Sequence, residues 1–106
     1  MARGILVVES GPSDPSREDE YNAWYDGPHA ADVCAVPGFV GCHRYKRCDG
    51  PTPTYLAVYE LEADDLGAAV AELRARSADG RIARSDALRT DPPPTVRLYE
   101  LVDPRS

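Results

Sequence analysis

The apolar positions along the chain fall into short runs separated by turn-forming clusters, and their spacing predicts the elements in order. Gly4 to Glu9 is a continuous apolar run with β-branched residues and reads as the first strand. Gly11-Pro12-Ser13-Asp14-Pro15 ends it. Asp14 before Pro15 starts a helix: the carboxylate can cap free N–H groups, and proline suits the first helical position. Glu18, Asp19 and Glu20 favour the positive end of its dipole, and the helix is predicted to run to about Asp26. Gly27-Pro28 then interrupts it, because a proline ring collides with the carbonyl four residues back. The helix kinks there or stops and restarts; a restart with Pro28 in the new first turn and an end at Ala35 fits the sequence better.

Pro37-Gly38 turns the chain into a second strand, Phe39 to Arg47, and Asp49-Gly50-Pro51 marks a hairpin-like loop. The third strand, Thr54 to Glu62, has two apolar faces, Leu56 and Val58 on one and Tyr55, Ala57, Tyr59 and Leu61 on the other. A second helix starts at Asp64 or Asp65, with Leu66, Ala69, Val70 and Leu73 in helical spacing, and ends at Ser77 to Gly80. Arg81 to Asp91 is polar, with a weak helical phrase at Ala83 to Leu88. Pro92-Pro93-Pro94 is a stiff connector into a last strand, Thr95 to Val102.

The order β-α-β-β-α-β predicts a ferredoxin-like α+β domain spanning residues 1–106, a four-stranded antiparallel sheet with both helices on one face. Apolar residues on both faces of several strands ask for cover on both sides, and one chain supplies helices for one side only. Pairing with a second copy, sheet against sheet, meets that need by symmetry. A homodimer is therefore expected.

Composition narrows the function. A net charge of −6 over 106 residues, with scattered basic residues, argues against nucleic acid as a partner. No run approaches the roughly 18 apolar residues of a membrane helix, and the N-terminus lacks a signal-peptide pattern, so a cytoplasmic protein without membrane partners is expected. Cys34, Cys42 and Cys48 form neither a disulfide framework nor a zinc-type spacing.

The chemistry-bearing residues concentrate on the first helix. Tyr21, Tyr25, His29 and Asp32 share one helical face if the interruption keeps phase, with Trp24 at its border. Such amphipathic rings suit a pocket wall for a flat aromatic ligand, and equally serve as plain core aromatics. His29 is the candidate acid or base, since imidazole titrates near neutrality, with Asp26 or Asp32 as the carboxylate that orients it; a surface or capping histidine is the alternative. Arg44 and Tyr45 point to opposite sheet faces, and Tyr55 and Tyr59 are expected to meet Tyr45 or His43 across the hairpin. His43 itself reads as structural. Asp26, His29 and Asp32 resemble a ligand set on paper, but their spacing and the lack of a nearby second histidine argue against a metal.

The segment from Tyr21-Asn22-Ala23-Trp24-Tyr25 through His29 and Asp32-Val33 to Val36-Pro37-Gly38-Phe39, with Arg44-Tyr45 beyond, resembles the helix-one signature of the dimeric α+β barrel superfamily. That group contains EthD-like proteins and antibiotic-biosynthesis monooxygenases. The chain departs from the pattern at Gly27-Pro28, where relatives carry ordinary helix formers. The superfamily includes cofactor-free oxygenases, polyketide cyclases, dehydratases, haem-degrading enzymes and proteins without known activity. The resemblance implies a small cofactor-independent enzyme of secondary metabolism acting on an aromatic or polyketide-like metabolite. The alternative it leaves open is a non-catalytic, ligand-binding or stress-associated homodimer.

Overall fold

A computed structural model describes residues 1–102. Its strands are β1 (Ala2–Ser10), β2 (Phe39–Lys46), β3 (Tyr55–Ala63) and β4 (Thr95–Glu100). Its α-helices are α1 (Glu18–Trp24), α2 (Ala30–Cys34) and α3 (Leu66–Ala78). The strands form one sheet in the order β2-β3-β1-β4, every pairing antiparallel, which is the ferredoxin-like α+β arrangement. Among the described residues no helix is long and apolar enough to cross a membrane.

The local signals act as their chemistry requires. Asp14 accepts hydrogen bonds from the backbone N–H and the hydroxyl of Ser16, at 2.9 and 2.7 Å, and opens a single 3-10 turn at Pro15–Arg17 that leads into α1. Asp65 caps α3 through the N–H of Ala68 at 3.0 Å. Gly38 enters β2 with φ +97°, a backbone conformation open to glycine, and a Cβ there would stand 3.3 Å from those of Ala63 and Ala69.

The expected restart at Gly27-Pro28 is a kink instead. Gly27 alone leaves the helical region (φ −93°, ψ −105°), and the turn over Tyr25–His29 widens so that the N–H of Ala30 reaches the Tyr25 carbonyl. Widening relieves the crowding of the Pro28 ring, and no side chain caps a second helix, because the helical path continues directly. The wider turn shifts the phase by about one residue, so that Val33, rather than Asp32, continues the buried face of Tyr21 and Tyr25.

Two further expectations are corrected. Residues 83–88 form no helix; the stretch lies along the Gly11–Ser13 segment, with Ser13 N–H donating to Ala87 O at 2.6 Å and Arg89 N–H to Gly11 O at 2.9 Å. Its amides find partners across the chain and need no helix. β4 ends at Glu100 rather than Val102, because its ladder partner in β1 at that point is Gly4 and β1 is nearly spent.

Leu6, Tyr21, Tyr25, Val33, Phe39, Tyr55, Ala57, Tyr59, Leu61 and Val70 pack between sheet and helices as the core. Among the described residues the other sheet face carries no helix. Ile5, Val7, Leu56 and Val58 are half-buried there, and Tyr45 and Tyr99 are exposed.

Candidate functional site

A cavity of about 240 Å³ lies on the helix-bearing side of the sheet. Leu6, Val8 and Ser10 of β1 with Tyr59 of β3 form its floor, and Trp24, Tyr25, His29 and Val33 one wall. Val70, Leu73, Arg74 and Ser77 of α3 form the facing wall, closed off by Ile82, Leu88 and Pro94 of the following loop and Val96 of β4. A larger open groove of about 460 Å³ runs over the opposite face past Ile5, Glu60 and Tyr99, and none of the helix-borne aromatic residues reaches it.

The candidate residues divide by position. Trp24, Tyr25, His29 and Tyr59 line the cavity. Tyr21, Tyr55 and Arg44 stand behind its wall. Ser10 Oγ and Tyr21 OH share a hydrogen bond at 2.7 Å. Tyr55 OH accepts from Asn22 at 3.0 Å and donates to Glu18. Arg44 spreads over three rings, its guanidinium carbon 4.3 Å from the Tyr25 centroid, 4.9 Å from Tyr55 and 5.4 Å from Tyr21. It donates to Asp26 at 2.7 Å and to Asn22 Oδ1 at 3.0 Å.

Tyr45 and His43 are elsewhere. In the β2–β3 register Tyr55 faces Lys46 and Tyr59 faces Cys42, so both tyrosines lie on the helix side. Strand alternation turns His43 and Tyr45 to the uncovered face, where His43 contacts Glu60 at 2.9 Å. The expected meeting of Tyr55 and Tyr59 with Tyr45 or His43 therefore does not occur.

His29 is half-buried, its ring centroid 4.5 Å from Trp24 and 4.7 Å from Tyr25. Neither neighbouring carboxylate binds the ring. Asp26 is taken by Arg44, and Asp32 accepts from the N–H of Ala83 at 2.7 Å. The Ala83 carbonyl instead lies 3.4 Å from His29 Nδ1 and also accepts from the Trp24 indole N–H at 3.2 Å. A carbonyl oxygen only accepts, so this long contact favours the Nδ1–H tautomer and leaves the Nε2 lone pair free. Burial pushes the imidazole pKa below its usual value; the Ala83 bond and the Asp32 charge oppose this, and Arg44 adds to it.

The tyrosines have the reverse character. Burial raises the Tyr25 phenol to about 12, and Tyr59, which donates to Tyr25 OH at 3.1 Å, is also pushed up by burial. Both stay protonated near neutrality. The cavity thus joins one neutral base to weakly acidic phenols on apolar walls. Among the described residues no three or more His, Cys, Asp or Glu side chains converge as a metal-binding group, and the three cysteines are free.

The sequence reading missed Arg74 and Ser77, which continue the α3 face begun by Val70 and Leu73 at helical spacing, and it missed Ala83, whose part is played by its backbone.

Structures of known proteins share this architecture. A candidate monooxygenase from Shewanella loihica superposes with a TM-score of 0.58 at 19% identity, covering 97% of this chain and 98% of its own. An EthD (ethyl tert-butyl ether) family protein from Bacillus halodurans gives 0.56 at 16%, covering 96% and 100%. The fold is theirs. The monooxygenase ActVA-Orf6 of Streptomyces coelicolor, in complex with nanaomycin D, follows at 0.52 and 17%, covering 94% and 88%. No protein-family model matches the sequence, and no curated protein does. The ferredoxin-like resemblance carried by the Tyr21–Phe39 segment thus holds for the fold across nearly the whole chain.

Proposed function

We propose that the chain is a small enzyme that moves protons on a compact aromatic or polyketide-like metabolite without an organic cofactor or metal. The observation that carries this reading is His29: half-buried, held neutral by its surroundings, and lining an apolar cavity with one ring nitrogen tied to the loop. Nε2 takes a proton from an acidic C–H or O–H of the substrate, giving imidazolium and a substrate anion. Returning that proton to another carbon gives isomerisation, and delivering it to a departing hydroxyl gives dehydration. Attack of the anion on a carbonyl of the same substrate gives cyclisation, with the proton passed to the new alkoxide. Where dioxygen is the co-reactant, the anion reduces it and forms a C–O bond, the imidazolium proton completes a hydroperoxide, and loss of water from that hydroperoxide leaves a carbonyl with one oxygen atom incorporated. Tyr25, a protonated phenol that accepts from Tyr59 and so keeps its own O–H to donate, is suited to hydrogen-bond the anion's oxygen. The description of two structural neighbours as monooxygenases supports the oxygenation branch.

A second reading, a non-catalytic small-molecule binder, is favoured by the burial of Tyr21, Tyr25, Tyr55 and Tyr59 in the core, which gives these rings a packing role of their own. Incubating the protein with candidate aromatic metabolites, with and without dioxygen, separates the two. Turnover that disappears in His29→Ala supports the enzyme. Saturable binding without turnover in either protein supports the binder.

A further inference from the structure

One face of α3 changes character as it passes the cavity. Val70, Leu73, Arg74 and Ser77, at i, i+3, i+4 and i+7, all line it. The first two are apolar, whereas Arg74 brings an exposed guanidinium and Ser77 a hydroxyl. The acidic neighbours at this end of the helix are already engaged: Glu72 binds Arg76 at 2.8 Å, and Asp79 binds Arg81 at 2.7 Å. Arg74 forms no ion pair among the described residues. Arg84, from the loop that closes the cavity, donates to the Ser77 carbonyl and likewise has no carboxylate partner there. That bond occupies one of the carbonyls through which a helix C-terminus repels anions. Among the described residues, one guanidinium without a carboxylate partner, that of Arg74, therefore lines an apolar cavity, with that of Arg84 bonded beside it at Ser77, on a chain whose net charge is −6.

We propose that Arg74 anchors an anionic group of the ligand and makes the cavity selective for compact aromatic or unsaturated carboxylates. The proposal deepens the small-molecule reading given above and rests on it. About 240 Å³ is slightly below the roughly 300–1,000 Å³ of drug-sized pockets, which suits one ring with short substituents. The guanidinium fork matches a carboxylate in two parallel hydrogen bonds, a match that a neutral amide cannot reproduce. Trp24 and His29 on the facing wall then meet the ring of a ligand held at Arg74.

The test compares aromatic carboxylates with their primary amides, salicylate with salicylamide and cinnamate with cinnamamide. Binding is followed by NMR titration of the full chain as wild type, Arg74→Gln and His29→Ala. Arg74 is exposed, so its replacement spares the core. In wild type at least one carboxylate should bind about tenfold tighter than its amide, with the largest shifts at cavity residues such as Trp24 and Val70. The preference should vanish in Arg74→Gln and persist in His29→Ala. Equal affinity for acid and amide in wild type, a preference retained in Arg74→Gln, or no shifts at the cavity with either acid overturns the proposal. Carboxylate preference without turnover on any substrate would leave the anchor standing while the acid/base reading falls.

Discussion

His29 Nδ1 lies 3.4 Å from the carbonyl oxygen of Ala83, so a loop backbone, rather than a carboxylate, meets the ring. Asp32 acts one step removed, by holding the N–H of the same residue at 2.7 Å. Asp32→Ala should free Ala83 and let the ring rotate, lowering turnover by up to about 10²-fold, the scale of a misplaced catalytic group. Asp32→Asn retains an acceptor for that N–H and should restore most of the loss. Nitrogen-15 shifts of the His29 ring give a readout independent of turnover: mixed tautomers in Asp32→Ala, and Nδ1–H in wild type and Asp32→Asn. Matching spectra for all three proteins would refute the positioning role.

The lowered pKa of His29 fixes the sign of its pH effects. Its main cause is burial, which disfavours imidazolium, so the base is active above the folded pKa and turnover should fall on the acid side, with its midpoint below about 6.5. Stability follows the same direction. The unfolded chain takes up this proton at higher pH than the folded one, so stability drops as pH falls from about 6.5 through the folded value. His29→Ala should reduce turnover by about 10²–10⁴-fold and remove this part of the acid-side stability loss. A turnover midpoint above 6.5 would contradict the assignment.

Asp26 and Arg44 form one ion pair with unequal partners. The Asp26 side chain is 65% exposed and that of Arg44 12%. Asp26→Asn should therefore cost less than about 1 kcal/mol, as for an exposed pair. Arg44→Ala removes the group packed among three tyrosine rings and should cost more, about 2–4 kcal/mol. Urea denaturation of both variants checks the ranking, and equal losses would show that the pair, rather than the stacking, dominates.

Pro28→Ala should leave the protein folded but allow a more regular helix between Tyr25 and His29. The imidazole would then turn away from Ala83. The expected result is slightly stronger helical circular dichroism together with loss of the His29 tautomer signature. An unchanged signature would mean that packing of the ring against Trp24 and Tyr25 sets its position.

The uncovered sheet face, with Ile5, Val7, Leu56 and Val58 at its centre, should bind a second copy. Light scattering should then report twice the 11.5 kDa of one chain, and Val7→Lys should return it to a monomer. A wild-type monomer at low micromolar concentration would exclude the pairing.

Much of this architecture was legible in the residues themselves. The apolar run at Ile5–Val8, the caps Asp14 and Asp65 and the Leu66–Leu73 spacing each specify their elements through local chemistry. The aromatic face of the first helix was legible for the same reason, since Tyr21 and Tyr25 stand four residues apart, before the kink at Gly27. The loop-borne side of the cavity was not. Ile82, Leu88 and Pro94 come from a segment without periodicity, and such a segment leaves no pattern to show which side chains turn inward. The partners of Asp26 and Asp32 were hidden because both lie far along the chain, at Arg44 and Ala83.

That irregular segment also makes the loop backbone a reporter of the cavity it roofs. The strap from Ile82 to Pro94 is fastened by a few bonds, at Ala83, Ala87 and Arg89 and between Arg17 and Asp86. A ligand that needs the strap in place favours its closed state by mass action, by about 2.7 kcal/mol at a hundred times its dissociation constant if the open state does not bind. Amide hydrogen exchange at Ala83 and Arg89 should therefore slow as ligand is added, so the loop backbone can serve as a gauge of binding before any reaction is known.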